Sequence, residues 1–334
     1  MKMISVLIPT YNEEENVELL SQEIIRVFRQ HLSEYKYEIV FIDNNSKDKT
    51  RLLISEICNK NDEIKAIFNA KNFGQFNSPY YGLCQTYGDC TILMCADFQD
   101  PVDMIPKFVA EWEAGYKIVC GIKTISKENS FIYFLRSCYY KIIKRLSDVE
   151  QIEHFTGFGL YDKAFVDVLR NLDDPSPFLR GIVAELGPER KEIPYQQEKR
   201  RAGKTKNNWY RLYDAAMLSF TSYTKVGLRL ATFIGFICSV LSLMVAFVYL
   251  VLKLMFWYTF PAGMVPVLIG VFVLGSLQLF FIGLVGEYIV NINTRIMKRP
   301  LVVETKRINF DTNDIMKIEK NVEGKATVTI DEVG

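Results

Sequence analysis

The chain has 334 residues, enough for about two domains, and 40 basic against 39 acidic side chains leave a net charge of +1. A balance this close excludes an overall field that gathers nucleic acid. The mean hydropathy of +0.06 is ordinary for a globular protein, but it averages two unlike parts. From Leu230 to Gly286 the single charged residue is Lys253, which excludes both a soluble enzyme and a polytopic transporter.

Seven cysteines without a C-x-x-C pair, and only two histidines, argue against a zinc framework and for reduced thiols in the cytosol. The N-terminus, MKMISVLIPTYNEEEN, reaches Pro9, Asn12 and three glutamates before an apolar signal region can form. The part of the chain ahead of the apolar region is therefore expected to stay cytoplasmic.

The first third alternates short β-rich runs with helical patterns, the signature of βα units on a mainly parallel sheet. Strands are predicted at 4–8, 37–42, 63–68, 91–95 and 117–120. Between the first two, Val17, Leu20, Ile24, Val27 and Phe28 fall at helical spacing, with Asn12 and Glu15 as the expected cap. The run 131–146, FIYFLRSCYYKIIKRL, mixes aromatics with Arg136, Lys141, Lys144 and Arg145. That pattern suits a basic amphipathic helix at a membrane surface, or equally a helix packed on the α/β part with a solvated basic face. A second such stretch, 209–230, leads into the apolar region.

There, 230–252 makes about 34 Å of helix against a hydrocarbon core of about 30 Å, and 265–286 supplies a second span. Trp257, Tyr258, Pro261 and Gly263 in the connection suit an interfacial turn. Lys225 and Arg229 before the first span, and Arg295, Lys298 and Arg299 after the second, predict that both ends are cytoplasmic. From Asp311 the chain is a polar tail.

In an open parallel sheet, ligands bind beyond the carboxyl ends of the strands. The first predicted strand ends in Pro9, Tyr11, Asn12 and Glu13, and the second in Asp43 and Ser46. The fourth ends Met-Cys-Ala-Asp-Phe-Gln-Asp-Pro, offering Asp97, Gln99 and Asp100 as hard oxygen ligands for Mg²⁺ or Mn²⁺ bridging a diphosphate. Neither G-x-G-x-x-G nor G-x-x-x-x-G-K-[ST] is present, so a dinucleotide oxidoreductase or a P-loop ATPase would lack its phosphate cradle.

The motifs IPTYNEEENV, FIDNNSKDKT, NAKNFGQ, ADFQDP, TGFGLYDK, RRAGKTK, GEYI and KRPLVV follow one another from Ser5 to about Val303. In this order and spacing the chain resembles the family 2 glycosyltransferases with a GT-A fold. Within them it is similar to the branch of dolichol-phosphate mannose synthases and bactoprenol glucosyltransferases. The resemblance implies that Pro9, Tyr11, Glu13 and Asp43 hold base and ribose, with Asn12, Ser46 and Cys95 completing the nucleotide-sugar set, and that Asp97 and Gln99 bind metal and diphosphate. It places Lys123, Arg136, Arg200 and Lys206 against the acceptor phosphate, where with Asp97 they form the catalytic set.

This sequence departs from the family at three points. Cys95-Ala96-Asp97 stands where Asp-X-Asp is common, Thr156-Gly157-Phe158-Gly159-Leu160 replaces an acid-bearing run, and Lys123 replaces an arginine fork with a point charge. A phosphate monoester has a second pKa of about 6, so the acceptor oxygen is ionised at neutral pH and needs no general base. His154 and Glu153 are secondary candidates for contact with sugar or acceptor.

The expected architecture is a GT-A (Rossmann-like, mainly parallel) catalytic domain over 1–207, a juxtamembrane amphipathic helix over 208–229, a two-helix transmembrane hairpin over 230–286 and a cytoplasmic segment over 287–334. The expected reaction is inverting transfer of one sugar from UDP-Glc or UDP-GlcNAc to undecaprenyl phosphate at the cytoplasmic membrane face, with Mg²⁺ or Mn²⁺ as cofactor. Its product would donate sugar to a cell-surface glycan. Expected partners are the nucleotide sugar, the polyprenyl phosphate, the membrane and a second copy of the chain, with no nucleic acid. Two competing readings are a transferase extending a lipid-linked glycan, and a catalytically silent sugar-nucleotide sensor or assembly partner motivated by Cys95.

Overall fold

The computed structural model describes residues 1–124, 152–172, 174–187, 189–198, 201, 217–218, 220–221, 226–256, 264–297 and 299–310. The run 131–146, the polar tail and the expected site residues Arg136, Arg200 and Lys206 lie outside the described residues.

The chain begins with β1 (Met3–Thr10), α1 (Val17–His31), β2 (Lys36–Asp43), α2 (Thr50–Lys60), β3 (Ile64–Asn69), α3 (Gly74–Cys84), β4 (Cys90–Leu93), α4 (Met104–Glu113) and β5 (Ile118–Lys123). It continues with β6 (Phe155–Asp162), α5 (Lys163–Leu172), α6 (Leu179–Leu186) and β7 (Lys191–Tyr195). Two long helices, α7 (Val226–Met255) and α8 (Met264–Ile296), precede a further strand, β8 (Glu304–Ile308).

Among the described residues eight strands join one sheet in the order β7-β5-β6-β4-β1-β2-β3-β8. The pairs β1–β2, β1–β4, β2–β3 and β5–β7 are parallel, while β6 runs antiparallel between β4 and β5, and β8 antiparallel to β3. The period of two along β1 divides the core. Ile4, Val6 and Ile8 join a cluster with α1, α2 and α4, and Leu7 joins one with α3, α5 and α6. Both faces are covered, as a mainly parallel sheet requires.

Two details differ from the sequence reading. The cap of α1 is Asn16, not Asn12: the Glu13 carbonyl accepts the Asn16 and Val17 N–H groups, and the Asn16 amide donates to the Glu13 carboxylate at 2.7 Å. Asn12 is drawn away because its own hydrogen bonds run to the loop after β2. The sequence reading also assigned no strand to residues 304–308, which extend the sheet at β3.

The sheet with its flanking helices forms one compact unit, and α7 and α8 belong to a second. Within the second unit, one stretch among the described residues is long and apolar enough to cross a membrane by length and composition. It is Val273–Ile296, with a mean hydropathy of 1.8.

Candidate active site

The parallel strands deliver the ends of β1, β2, β3 and β4 to one rim. Because β6 is antiparallel to both β4 and β5, the end of β5 and the start of β6 reach the same rim. Among the described residues five non-glycine residues have left-handed backbone, and four lie on this rim: Asn12 (φ 56°) after β1, Asn45 (φ 63°) after β2, Phe98 (φ 61°) after β4 and His154 (φ 59°) before β6. Such residues persist only where surrounding contacts over-determine them, and they collect at functional sites.

The loops after β1 and β2 are tied together. The Asn12 N–H donates to Ser46 Oγ at 2.8 Å, the Lys47 N–H donates to Asn12 Oδ1 at 2.8 Å, and the Glu13 N–H donates to Thr50 Oγ1 at 2.8 Å. Beneath them Asp43 is fully buried. Its carboxylate accepts the Ser46 hydroxyl and the Ser46 N–H, and Arg51 Nε lies 3.1 Å from Oδ2. Burial raises the Asp43 pKa, against the lowering effects of Ser46 and Arg51. Asp43 thus fixes the loop that carries Ser46. Pro9, Tyr11, Asn12 and Glu13 are half-buried beside it.

A second tie, without a role in the sequence reading, joins the β2 and β3 loops. Asn44 donates to Asn72 Oδ1 (3.1 Å) and to the Gly74 carbonyl (3.0 Å), and accepts the Phe73 N–H (2.8 Å) and the Asn69 amide (3.3 Å). Asn69 also donates to Ser78 Oγ at 3.0 Å. The motif NAKNFGQ supplies most of these groups, so its asparagines serve as loop fasteners. The sequence signal was the density of asparagine itself, a residue that pairs with nearby backbone.

The loop after β4 exposes Cys95 and buries Asp97 and Asp100. Asp97 Oδ1 accepts the Gln99 N–H at 3.1 Å. Asp100, expected as a third oxygen ligand, instead turns inward: Oδ2 accepts the Cys95 N–H at 2.9 Å and Oδ1 accepts the Tyr195 hydroxyl at 3.0 Å. Burial pushes its pKa up to about 6, with the Asp97 charge acting in the same direction. Asp100 holds the loop that presents Asp97.

The side chains of this loop that could hold a metal are the Asp97 carboxylate and the Gln99 side-chain oxygen. Among the described residues no three His, Cys, Asp or Glu side chains gather as a cage. Hard oxygens of this number fit a Mg²⁺ or Mn²⁺ that takes its remaining ligands from a diphosphate and water.

Lys123 closes β5, half-buried, with its N–H donating to the His154 carbonyl at 3.3 Å. The chain beyond β7 reaches the Asp97 loop, where the Glu198 N–H donates to the Gln99 carbonyl at 3.3 Å. Three residues on, Arg201 stacks over the Phe98 ring at 4.1 Å and pairs with Glu23 at 3.0 Å. Arg201, the second residue of the RRAGKTK motif and absent from the sequence-based set, is therefore held beside the Asp97 loop. Of the expected residues, the structure brings Pro9, Tyr11, Asn12, Glu13, Asp43, Ser46, Cys95, Asp97, Gln99 and Lys123 to one rim.

Residues 5–170 match the model of Glycosyl transferase family 2. The chain carries a glycosyl transferase family 2 domain. It is 29% identical over 301 residues to a prophage bactoprenol glucosyl transferase homolog of Escherichia coli, covering 89% of this chain and 96% of that one. To the bactoprenol glucosyl transferase of Shigella phage SfX it is 28% identical over 298 residues, covering 89% and 97%. Among solved structures, mannosyl-3-phosphoglycerate synthase from Rubrobacter xylanophilus matches 65% of this chain and 71% of its own at 14% identity and a TM-score of 0.47. The family 2 domain spans β1 to α5, the part of the sheet that forms the rim, and the chain is a transferase enzyme.

Proposed function

We propose that this glycosyltransferase moves one sugar from a nucleotide diphosphate donor, UDP-Glc or UDP-GlcNAc, to undecaprenyl phosphate at the cytoplasmic face of the membrane, with inversion at the anomeric carbon. The observation that carries this reading is the near full-length match to bactoprenol glucosyl transferases, which continues past the family 2 domain through the apolar helices. In this reading α7 and α8 form a transmembrane hairpin with both chain ends cytoplasmic.

On the donor side, Pro9, Tyr11, Asn12 and Glu13 and the loop fixed by Asp43 and Ser46 receive the nucleotide. Asp97 and Gln99 face its diphosphate. A bound Mg²⁺ or Mn²⁺ would supply charge stabilisation for the departing nucleoside diphosphate. On the acceptor side, Lys123, Arg136, Arg200 and Lys206 offset the repulsion between the lipid phosphate and the diphosphate. The acceptor oxygen is already ionised at neutral pH. The residues therefore have to align it and exclude water, and no proton needs to be removed.

Purified full-length protein incubated with labelled UDP-sugars, Mn²⁺ and undecaprenyl phosphate tests the reading. The expected result is a chloroform-extractable, mild-acid-labile labelled monosaccharide lipid. Donor binding without lipid product across a broad sugar panel would sink it and favour a sensor role.

A further inference from the structure

The loop that presents Ser46 is braced from an unexpected direction. Arg51, in the first turn of α2, contacts three elements with one guanidinium: Nε pairs with buried Asp43 at 3.1 Å, and Nη2 donates to the Asn69 carbonyl and to Thr305 Oγ1, each at 3.2 Å. The guanidinium also stacks on Phe68 at 5.1 Å. Thr305 lies on β8 and donates to the Phe68 carbonyl at 3.0 Å. A continuous chain of polar contacts thus runs from β8 through Arg51, Asp43 and Ser46 to the Asn12 N–H.

Two links in that chain need support. Asn12 and Asn45 both hold left-handed backbone, a conformation maintained by its contacts. Asp43 has no exposed surface, and a carboxylate in that setting keeps its charge through a fixed cation and hydrogen-bond donors. Arg51 supplies the cation, and its planar fork meets a carboxylate, a carbonyl and a hydroxyl together in a way that a lysine ammonium cannot. Other contacts hold β8 itself: the Val303 carbonyl accepts the Ala70 N–H at 2.8 Å, Arg307 donates to Gln85 at 2.7 Å, and the Asn309 amide donates to the Cys58 and Ile64 carbonyls at 2.8 Å.

We propose that Arg51 is a positioning residue of the donor site, and that strand β8 sets it through Thr305, so that the nucleotide loop reaches its working shape only when the C-terminal strand is paired to β3. This rests on the donor site assigned above, and it adds a distant strand to the groups that determine nucleotide affinity.

The test uses the full-length chain in detergent and measures UDP binding with Mn²⁺ by calorimetry, together with donor KM and kcat. Thr305→Val keeps shape and strand propensity and removes the hydroxyl, whereas Thr305→Ser restores it. Arg51→Lys keeps the charge and loses the fork. The expected result is about tenfold weaker UDP binding and a matching rise in donor KM for Thr305→Val and Arg51→Lys, with Thr305→Ser within about twofold of wild type. At saturating donor, kcat stays within about twofold, and the melting temperature of Thr305→Val remains close to wild type. A Thr305→Val protein that binds UDP like wild type overturns this inference alone. A wild-type protein that does not bind UDP overturns the donor-site reading, and this inference with it.

Discussion

The pair Glu38–Lys65 separates what holds the sheet from what serves the site. Glu38, third residue of β2, is 2% exposed. Its Oε1 accepts the Ser5 hydroxyl and the Tyr87 N–H, and its Oε2 lies 2.8 Å from Lys65 Nζ, whose side chain is 13% exposed. The Lys65 ammonium also sits 5.3 Å from the rings of both Tyr87 and Phe310. Replacing Glu38 by Gln keeps an oxygen for Ser5 and Tyr87 but removes the negative charge paired with the Lys65 ammonium. Breaking one partner of a buried pair costs about 3–5 kcal/mol, a large share of the roughly 5–15 kcal/mol that stabilises a native protein. The melting temperature of Glu38→Gln should fall by roughly 10 °C, read by scanning fluorimetry on the detergent-solubilised chain. Glu38→Gln with Lys65→Met removes both charges and should recover more than half of the loss. Asp43 lies five residue steps along the strand from Glu38, about 17 Å, so donor KM measured well below the melting temperature should match wild type. A fall of under about 2 °C in the single variant, or no recovery in the double, would refute the assignment of this pair as a buried brace.

Three further outcomes are expected. Asp97→Ala should reduce turnover by about a hundredfold or more while the protein still inserts into membranes; retained activity in the lipid-product assay would show that the metal and diphosphate ligands lie elsewhere. Gly159→Ala should destabilise by about 1–3 kcal/mol, seen as a lowered melting temperature, because a Cβ at this position in β6 runs into the Val119 carbonyl; an unchanged melting temperature counts against that packing. Among the described cysteines, burial pushes the thiols of Cys58, Cys84 and Cys120 up to about 12, leaving almost no thiolate at pH 8, whereas Cys95 is exposed on the rim. Alkylation at pH 8 followed by peptide mass spectrometry should therefore label Cys95 at least about tenfold faster than those three, and UDP with Mn²⁺ should slow it; equal rates would mean that the buried thiols open readily.

The strands β1 to β5 were legible because each is a short apolar, β-branched run followed by a turn or a helical pattern. Later strands gave weaker signals for physical reasons. β6 carries Gly157 and Gly159, which look like a loop until close backbone approach to Val119 and Cys120 explains the second. β7 includes Pro194 and alternates partly exposed positions. β8, ETKRI, is an edge strand whose charges suit that place and hide its periodicity.

The rim itself was legible from strand ends alone. The inward turn of Asp100 was not, because it depends on Tyr195, 95 residues away. Asn44 and Arg51 escaped notice for the same reason: each acts through partners that only the sheet order makes neighbours.

Strand β8 also imposes an order of assembly. Thr305 bonds to Phe68 across 237 residues of chain, and both long helices lie between them in sequence. During synthesis the first seven strands leave the ribosome before the last exists, so β3 remains an open edge until α7 and α8 have been made. A nascent chain stalled in the apolar region would hold an incomplete sheet, with Arg51 lacking its threonine partner and an unpaired strand edge open to misassociation. Maturation of the catalytic sheet therefore waits on the fate of the apolar helices.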